Sequence, residues 1–219
     1  MACLLFLVFI SSASALAAGS ISGTVVSSSG SVAVPGVTVN AYNSGWVYVS
    51  SAVTDGSGNY VIAGLNPGTY YLHTSNSLGY VNYYYSAMGS LSNYRMYAAS
   101  ITVQDLAVAS GKNFTLVSGA GSISGHVVSN DEMEAIQNVT VIAYQSSDNT
   151  SYYMGWVDTD ASGNYSITGL APGTYYLKTT NNLAYVNEYY DNVVISGAAT
   201  AVTVSASTDS ANKNFALDF

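Results

Sequence analysis

The chain has 219 residues, of which 49% are hydrophobic and 7% charged, with a formal net charge of −8 at pH 7. Arg95, Lys112, Lys178 and Lys213 are its whole cationic inventory, a balance that repels phosphate backbones and excludes nucleic acid as a partner. Cys3 is the single cysteine, so no intrachain disulfide forms, and the composition is too apolar for disorder and too rich in Gly, Ser, Thr and Asn for long helices.

Residues 1–19 open the chain as an apolar segment. Leu4, Leu5, Phe6, Leu7, Val8, Phe9 and Ile10 are an unbroken hydrophobic run, followed by small residues and Ala15-Leu16-Ala17. This reads as a secretory signal peptide with an A-x-A cleavage site, although no Lys or Arg precedes the run. It is too short for a membrane span, which needs about 20 apolar residues. The second reading keeps the segment as an assembly strand. Seven buried side chains would gain roughly 10–20 kcal/mol gross, at about 1.5–3 each, less the entropy of ordering them. A neighbouring subunit accepting that strand would make the protein a homopolymer. Both readings stand on the sequence alone.

Residues 20–118 and 122–219 read as two copies of one domain, joined by a short linker at 119–121. Ile21-Ser22-Gly23 returns as Ile123-Ser124-Gly125, and Val37-Thr38-Val39 as Val139-Thr140-Val141, at an offset of 102 residues. The offset becomes 105 at Asp55 and Asp160 and 101 at Asn113 and Asn214, so length changes fall between apolar runs, where loops tolerate them. Val37, Val39 and Ala41 alternate with Thr38, Asn40 and Tyr42, a period of two. Such alternation, cut by frequent turn signals, predicts an all-β chain of two tandem antiparallel β-sandwiches. Strands are expected near 20–27, 36–42, 46–53, 59–63, 68–75, 80–85, a weaker run at 100–104, and 111–117. Ser86–Ala99 reads as an exposed loop.

The most ordered text is Thr54–Leu72, TDGSGNYVIAGLNPGTYYL, which returns as Thr159–Leu177, TDASGNYSITGLAPGTYYL. The copies differ at Gly56/Ala161, Val61/Ser166, Ala63/Thr168 and Asn66/Ala171. Asp-x-x-Gly-Asn makes one turn and Gly-Leu-x-Pro-Gly a second, each leading into a strand. With the preceding Val-Pro-Gly-Val-Thr-Val-x-Ala-Tyr, this frame resembles carboxypeptidase regulatory-like domains, which belong with the transthyretin-like and CnaB-type sandwiches. The resemblance covers nearly all of residues 20–219, departing at Ala135–Asn138, where Val34-Pro35-Gly36 has no counterpart. It implies a stalk, spacer, adhesive or assembly module of a secreted protein. The Lys–Asn isopeptide crosslink common in CnaB-type domains is not expected, because Lys112 and Lys213 lie on the same final strand as Asn113 and Asn214.

No nucleophile–His–acid set, zinc spacing, phosphate loop or nucleotide fingerprint is legible, so the chain reads as a non-enzyme with no cofactor and no catalytic or metal site. His73 and His126 have different counterparts, Lys178 and Thr24, which suits ordinary strand positions rather than a repeated site. Asp55, Asp158 and Asp160 suit Asx turns better than calcium loops, and Glu188 and Asp191 complete the acid-rich set of the second copy. Asn113, Asn138, Asn149 and Asn164 begin glycosylation sequons, about as many as this composition gives by chance. Tyr83, Tyr84, Tyr85, Tyr189 and Tyr190 are candidates for a subunit contact or for stacking on sugar rings, with plain strand packing the alternative. Trp46 and Trp156 sit in shifted frames and do not form one repeated pocket.

The leading expectation is a structural subunit of an extracellular or cell-surface filament, assembled head to tail through residues 4–10. The rival is a secreted monomeric adhesion or carbohydrate-binding module with residues 1–17 removed.

Overall fold

The computed structural model describes residues 18–86, 94–147 and 150–219; Leu4–Ile10 and Asn149 lie outside the described residues. The first copy contains β1 (Gly19–Ser27), β2 (Thr38–Asn43), β3 (Tyr48–Val53), β4 (Asn59–Leu65), β5 (Gly68–Ser75), β6 (Ile101–Val103), β7 (Val108–Ala109) and β8 (Phe114–Leu116). The second repeats them as β9 (Gly121–Ser129), β10 (Thr140–Ser147), β11 (Thr150–Asp158), β12 (Asn164–Leu170), β13 (Gly173–Thr180), β14 (Val202–Val204), β15 (Asp209–Ser210) and β16 (Phe215–Leu217). Helical structure among the described residues is limited to two short turns, Arg95–Tyr97 and Ser196–Ala198, and no described helix is long and apolar enough to cross a membrane.

Each copy is a sandwich of two sheets. In the first, β3-β2-β5-β6 faces β4-β1-β7, with β8 also paired to β1; in the second, β11-β10-β13-β14 faces β12-β9-β15, with β16 paired to β9. The alternating residues meet between the sheets: Ile21, Val25, Val39, Ala41, Ile62 and Leu72 in one core, Ile123, Val127, Val141, Ala143, Ile167 and Leu177 in the other. Pairings are antiparallel except at the closing edge, where β7 and β8 run parallel to β1. Gly23 makes room for that closure. A Cβ there would lie 2.2 Å from the Lys112 carbonyl oxygen, and Gly125 meets Lys213 in the same way.

The Thr54–Leu72 frame ties the sandwich together. Thr54 Oγ1, buried, donates to the Val34 carbonyl at 2.7 Å and accepts from the Val37 amide at 2.9 Å. Thr159 does the same for Ile136 and Val139, so the bond survives although Val-Pro-Gly does not. Asp55 Oδ1 accepts from the amides of Ser57 and Asn59, and Asp160 from Ser162 and Asn164, the Asx turns expected. Tyr70 and Tyr175 hydroxyls close the Pro-Gly turns on the carbonyls of Asn66 and Ala171.

The run 80–85 is not a strand but an extended segment held by isolated bridges. It continues the edge of β5 that β6 occupies earlier: Tyr85 donates its amide to Leu72 and Thr74 donates to Tyr83. Asn76 bends the chain there, its side chain bonding Leu78, Tyr80 and Asn82, so pairing with β5 is too brief to form a ladder.

Candidate functional site

The two sandwiches meet at a joint built mainly from the 76–85 segment, the outer face of β2 and β5, and β11–β12. Asn82 is its centre. Its backbone amide donates to Gly169 at 2.8 Å and its Nδ2 to Thr168 at 3.1 Å, while its Oδ1 accepts from Asn76 at 2.6 Å. Thr168 Oγ1 returns a bond to the Asn76 carbonyl at 2.9 Å. Gly169 has φ +73°, and a Cβ on it would fall 2.0 Å from Asn82 Nδ2, so both conformation and contact demand glycine.

Beside this clamp lies an aromatic cluster. Trp46 stacks on Tyr71 (4.4 Å, 11°) and carries the Arg95 guanidinium 4.2 Å from its ring centre. His73 packs on Tyr84 at 4.3 Å and stacks with Trp156 across the joint at 6.2 Å, while Tyr42 approaches both tryptophans. Trp46 turns the β2–β3 hairpin at φ +61°, a conformation bulky residues rarely adopt, with the Asn43 side chain capping the amides of Gly45 and Val47. Burial pushes the His73 pKa down to about 4. Its ring is therefore neutral; His73 holds the strand position expected, on β5, and its contacts with Tyr84 and Trp156 build it into the joint.

The predicted tyrosines separate by face. Tyr83 and Tyr85 pack on the first core, with Tyr85 edge-on to Phe114; Tyr190 mirrors this on Phe215. Tyr84, 2% exposed, points the other way into the aromatic cluster and is no surface contact, and Tyr189 is half-buried against Tyr144. Lys112 and Lys213 lie over Tyr85 and Tyr190, and the neighbouring Asn113 and Asn214 side chains cap the amides of Thr24 and His126. Asn138 and Asn164 are exposed, Asn138 at φ +62°, and Asn113 is exposed with its Oδ1 engaged.

The acid-rich set is dispersed. Asp158 accepts from Thr140, Asp191 accepts from Thr200, and no group of three metal-ligating side chains occurs among the described residues. Glu188 is buried with Oε1 unpartnered among the described residues; burial, reinforced by the Asp218 charge, raises its pKa to about 7. A cleft of about 490 Å³ beside Trp46 is lined by Tyr71, Arg95, Met96, Ala98, Tyr152 and Tyr153. Sequence reasoning missed the joint itself: Asn82 falls within the run 80–85 that reads as a strand, and the local difference between the copies that bears on it is Ala63/Thr168 within the repeated frame.

Residues 20–117 and 122–217 each match the carboxypeptidase regulatory-like domain. The chain belongs to that family. Among solved structures, these tandem carboxypeptidase regulatory-like domains are similar to the Bacillus anthracis TIE protein (15% identity, TM-score 0.38, 92% of this chain and 34% of that one). They are similar also to a Streptococcal ancillary pilin (13%, 0.35, 92% and 62%) and to shaft pilin SpaA from Lactobacillus rhamnosus GG (13%, 0.36, 92% and 97%). The chain thus spans about a third of the first of these proteins and under two thirds of the second. No curated protein matches it.

Proposed function

We propose that the protein is a structural subunit of an extracellular filament that assembles with copies of itself. The observation that carries this is the joint: Asn82, clamped by hydrogen bonds to Thr168 and Gly169, makes one stiff two-sandwich unit without a free hinge. A spacer or fibre subunit needs that property, whereas a flexible binding module does not. The apolar run Leu4–Ile10, absent from the second copy, is the proposed donor strand for a neighbouring sandwich. Deleting residues 4–10 is expected to abolish fibres in negative-stain images while circular dichroism of both sandwiches stays unchanged. Fibres that persist in the deletion variant would sink the donor-strand reading.

The second reading, a monomeric carbohydrate-binding module, rests on the aromatic cleft beside Trp46. That indole is already engaged by Tyr71 and Arg95, and Lys178 lies 4.7 Å from the ring centre of Tyr153, which leaves little aromatic surface for a sugar. Binding on a glycan array that disappears in Trp46→Ala would favour this reading over the first.

A further inference from the structure

Both halves of the joint exist twice in the chain, and among the described residues one copy of each is uncovered. The Asn76-Ser77-Leu78-Gly79-Tyr80-Val81-Asn82 segment returns as Asn181-Asn182-Leu183-Ala184-Tyr185-Val186-Asn187. It keeps the same internal wiring: Asn181 Nδ2 donates to Asn187 Oδ1 at 2.7 Å and to the Tyr185 carbonyl at 3.2 Å. Val186 donates its amide to Asp218 as Val81 does to Val117. Yet Val81 is 3% exposed and Val186 44%, and Asn187 is exposed. Neither its backbone amide nor its Nδ2, the two groups that Asn82 uses, finds a partner among the described residues.

The receiving side is duplicated as well. Ala63-Gly64 of β4 corresponds to Thr168-Gly169 of β12, each at a bulge with its glycine near φ +75°. Gly169 is covered by Asn82, whereas Ala63 and Gly64 are exposed and the space at Gly64 is open for 4 Å. Ala120, buried in the joint, has exposed Ala18 as its counterpart.

We infer that the second sandwich of one molecule docks onto the first sandwich of the next, repeating the internal joint, with Asn187 donating to the carbonyls of Ala63 and Gly64. The partner is a second copy of this chain. Such a contact is head to tail and need not close on itself, so it is able to propagate. It rests on the self-assembly reading above and adds where the subunits touch. The copies also differ in a directed way. Trp156 is replaced by Ser51, His73 by Lys178, and the Thr168 hydroxyl is absent at Ala63. The intermolecular joint therefore keeps the polar clamp and loses the His–Trp stack, which makes it the weaker and reversible of the two. The internal joint has the further advantage of its short tether.

Sedimentation velocity on the full chain over a dilution series tests this with two exposed positions. Asn187→Asp keeps the acceptor for Asn181 but replaces the donor with a carboxylate facing carbonyl oxygens; it is expected to raise the dissociation constant about tenfold or more. Ala63→Thr restores the hydroxyl of Thr168 and is expected to lower that constant severalfold. Association that ignores both substitutions overturns this joint while leaving self-assembly intact. A full chain that stays monomeric at every concentration overturns the self-assembly reading and this joint together.

Discussion

Thr54 and Thr159 show how a single hydroxyl can hold a loop that two copies of the chain build differently. Each satisfies one buried carbonyl and one buried amide, so Thr159→Val, nearly the same shape, leaves both without a partner. We expect it to destabilise the fold by about 2–4 kcal/mol, read as a lowered urea midpoint at unchanged slope. Tyr84 is the opposite case. Its hydroxyl is buried with no hydrogen-bond partner among the described residues, and burial first, then Tyr42, raises its pKa against a smaller opposing pull from Arg95. Tyr84→Phe removes a desolvated polar group and keeps the ring, so stability is expected to hold or to rise by about 1 kcal/mol. A clear loss in the same urea experiment would show that the hydroxyl has a role the static contacts do not reveal.

Among the elements, the strands that face the core were legible because a buried sheet face writes itself into the sequence as period two. Ile21 through Leu72 carry that signature. The segment 80–85 carries it too, since Tyr83 and Tyr85 face the core and Tyr84 does not, but alternation does not report whether a ladder partner is available. β6 occupies the start of that edge, and Asn76 bends the chain away. The parallel closing edge was illegible for a related reason: pairing direction depends on which distant strand lies beside β1, and no local pattern encodes it. Of the candidate site, sequence spacing separated Trp46 from Trp156 correctly as non-equivalent. It could not foresee that Tyr42 brings them near each other, because that proximity is created by the joint and not by either domain.

For the whole molecule, two buried titratable groups give opposite pH dependences. His73 has a folded pKa of about 4 against 6.5 in the free residue, so its neutral form supports the fold fully above pH 6.5. That support is lost as pH falls towards 4, by about 3 kcal/mol at most. Glu188 is raised to about 7, so its contribution is present below pH 4.5 and lost as pH rises through 7. Thermal melts from pH 4 to 8 are expected to show a broad optimum; His73→Phe should flatten the acid limb and Glu188→Gln the neutral one. The parallel edge bears on how the molecule carries load. Chain enters each sandwich at the start of β1 or β9 and leaves past the end of β8 or β16, and these neighbours run in the same direction. A pull applied between the two ends of a sandwich would therefore drag the paired strands past each other lengthwise, straining their hydrogen bonds simultaneously instead of peeling them one by one. A sandwich wired in this way is expected to resist stretching between its ends better than one whose terminal strands peel apart bond by bond.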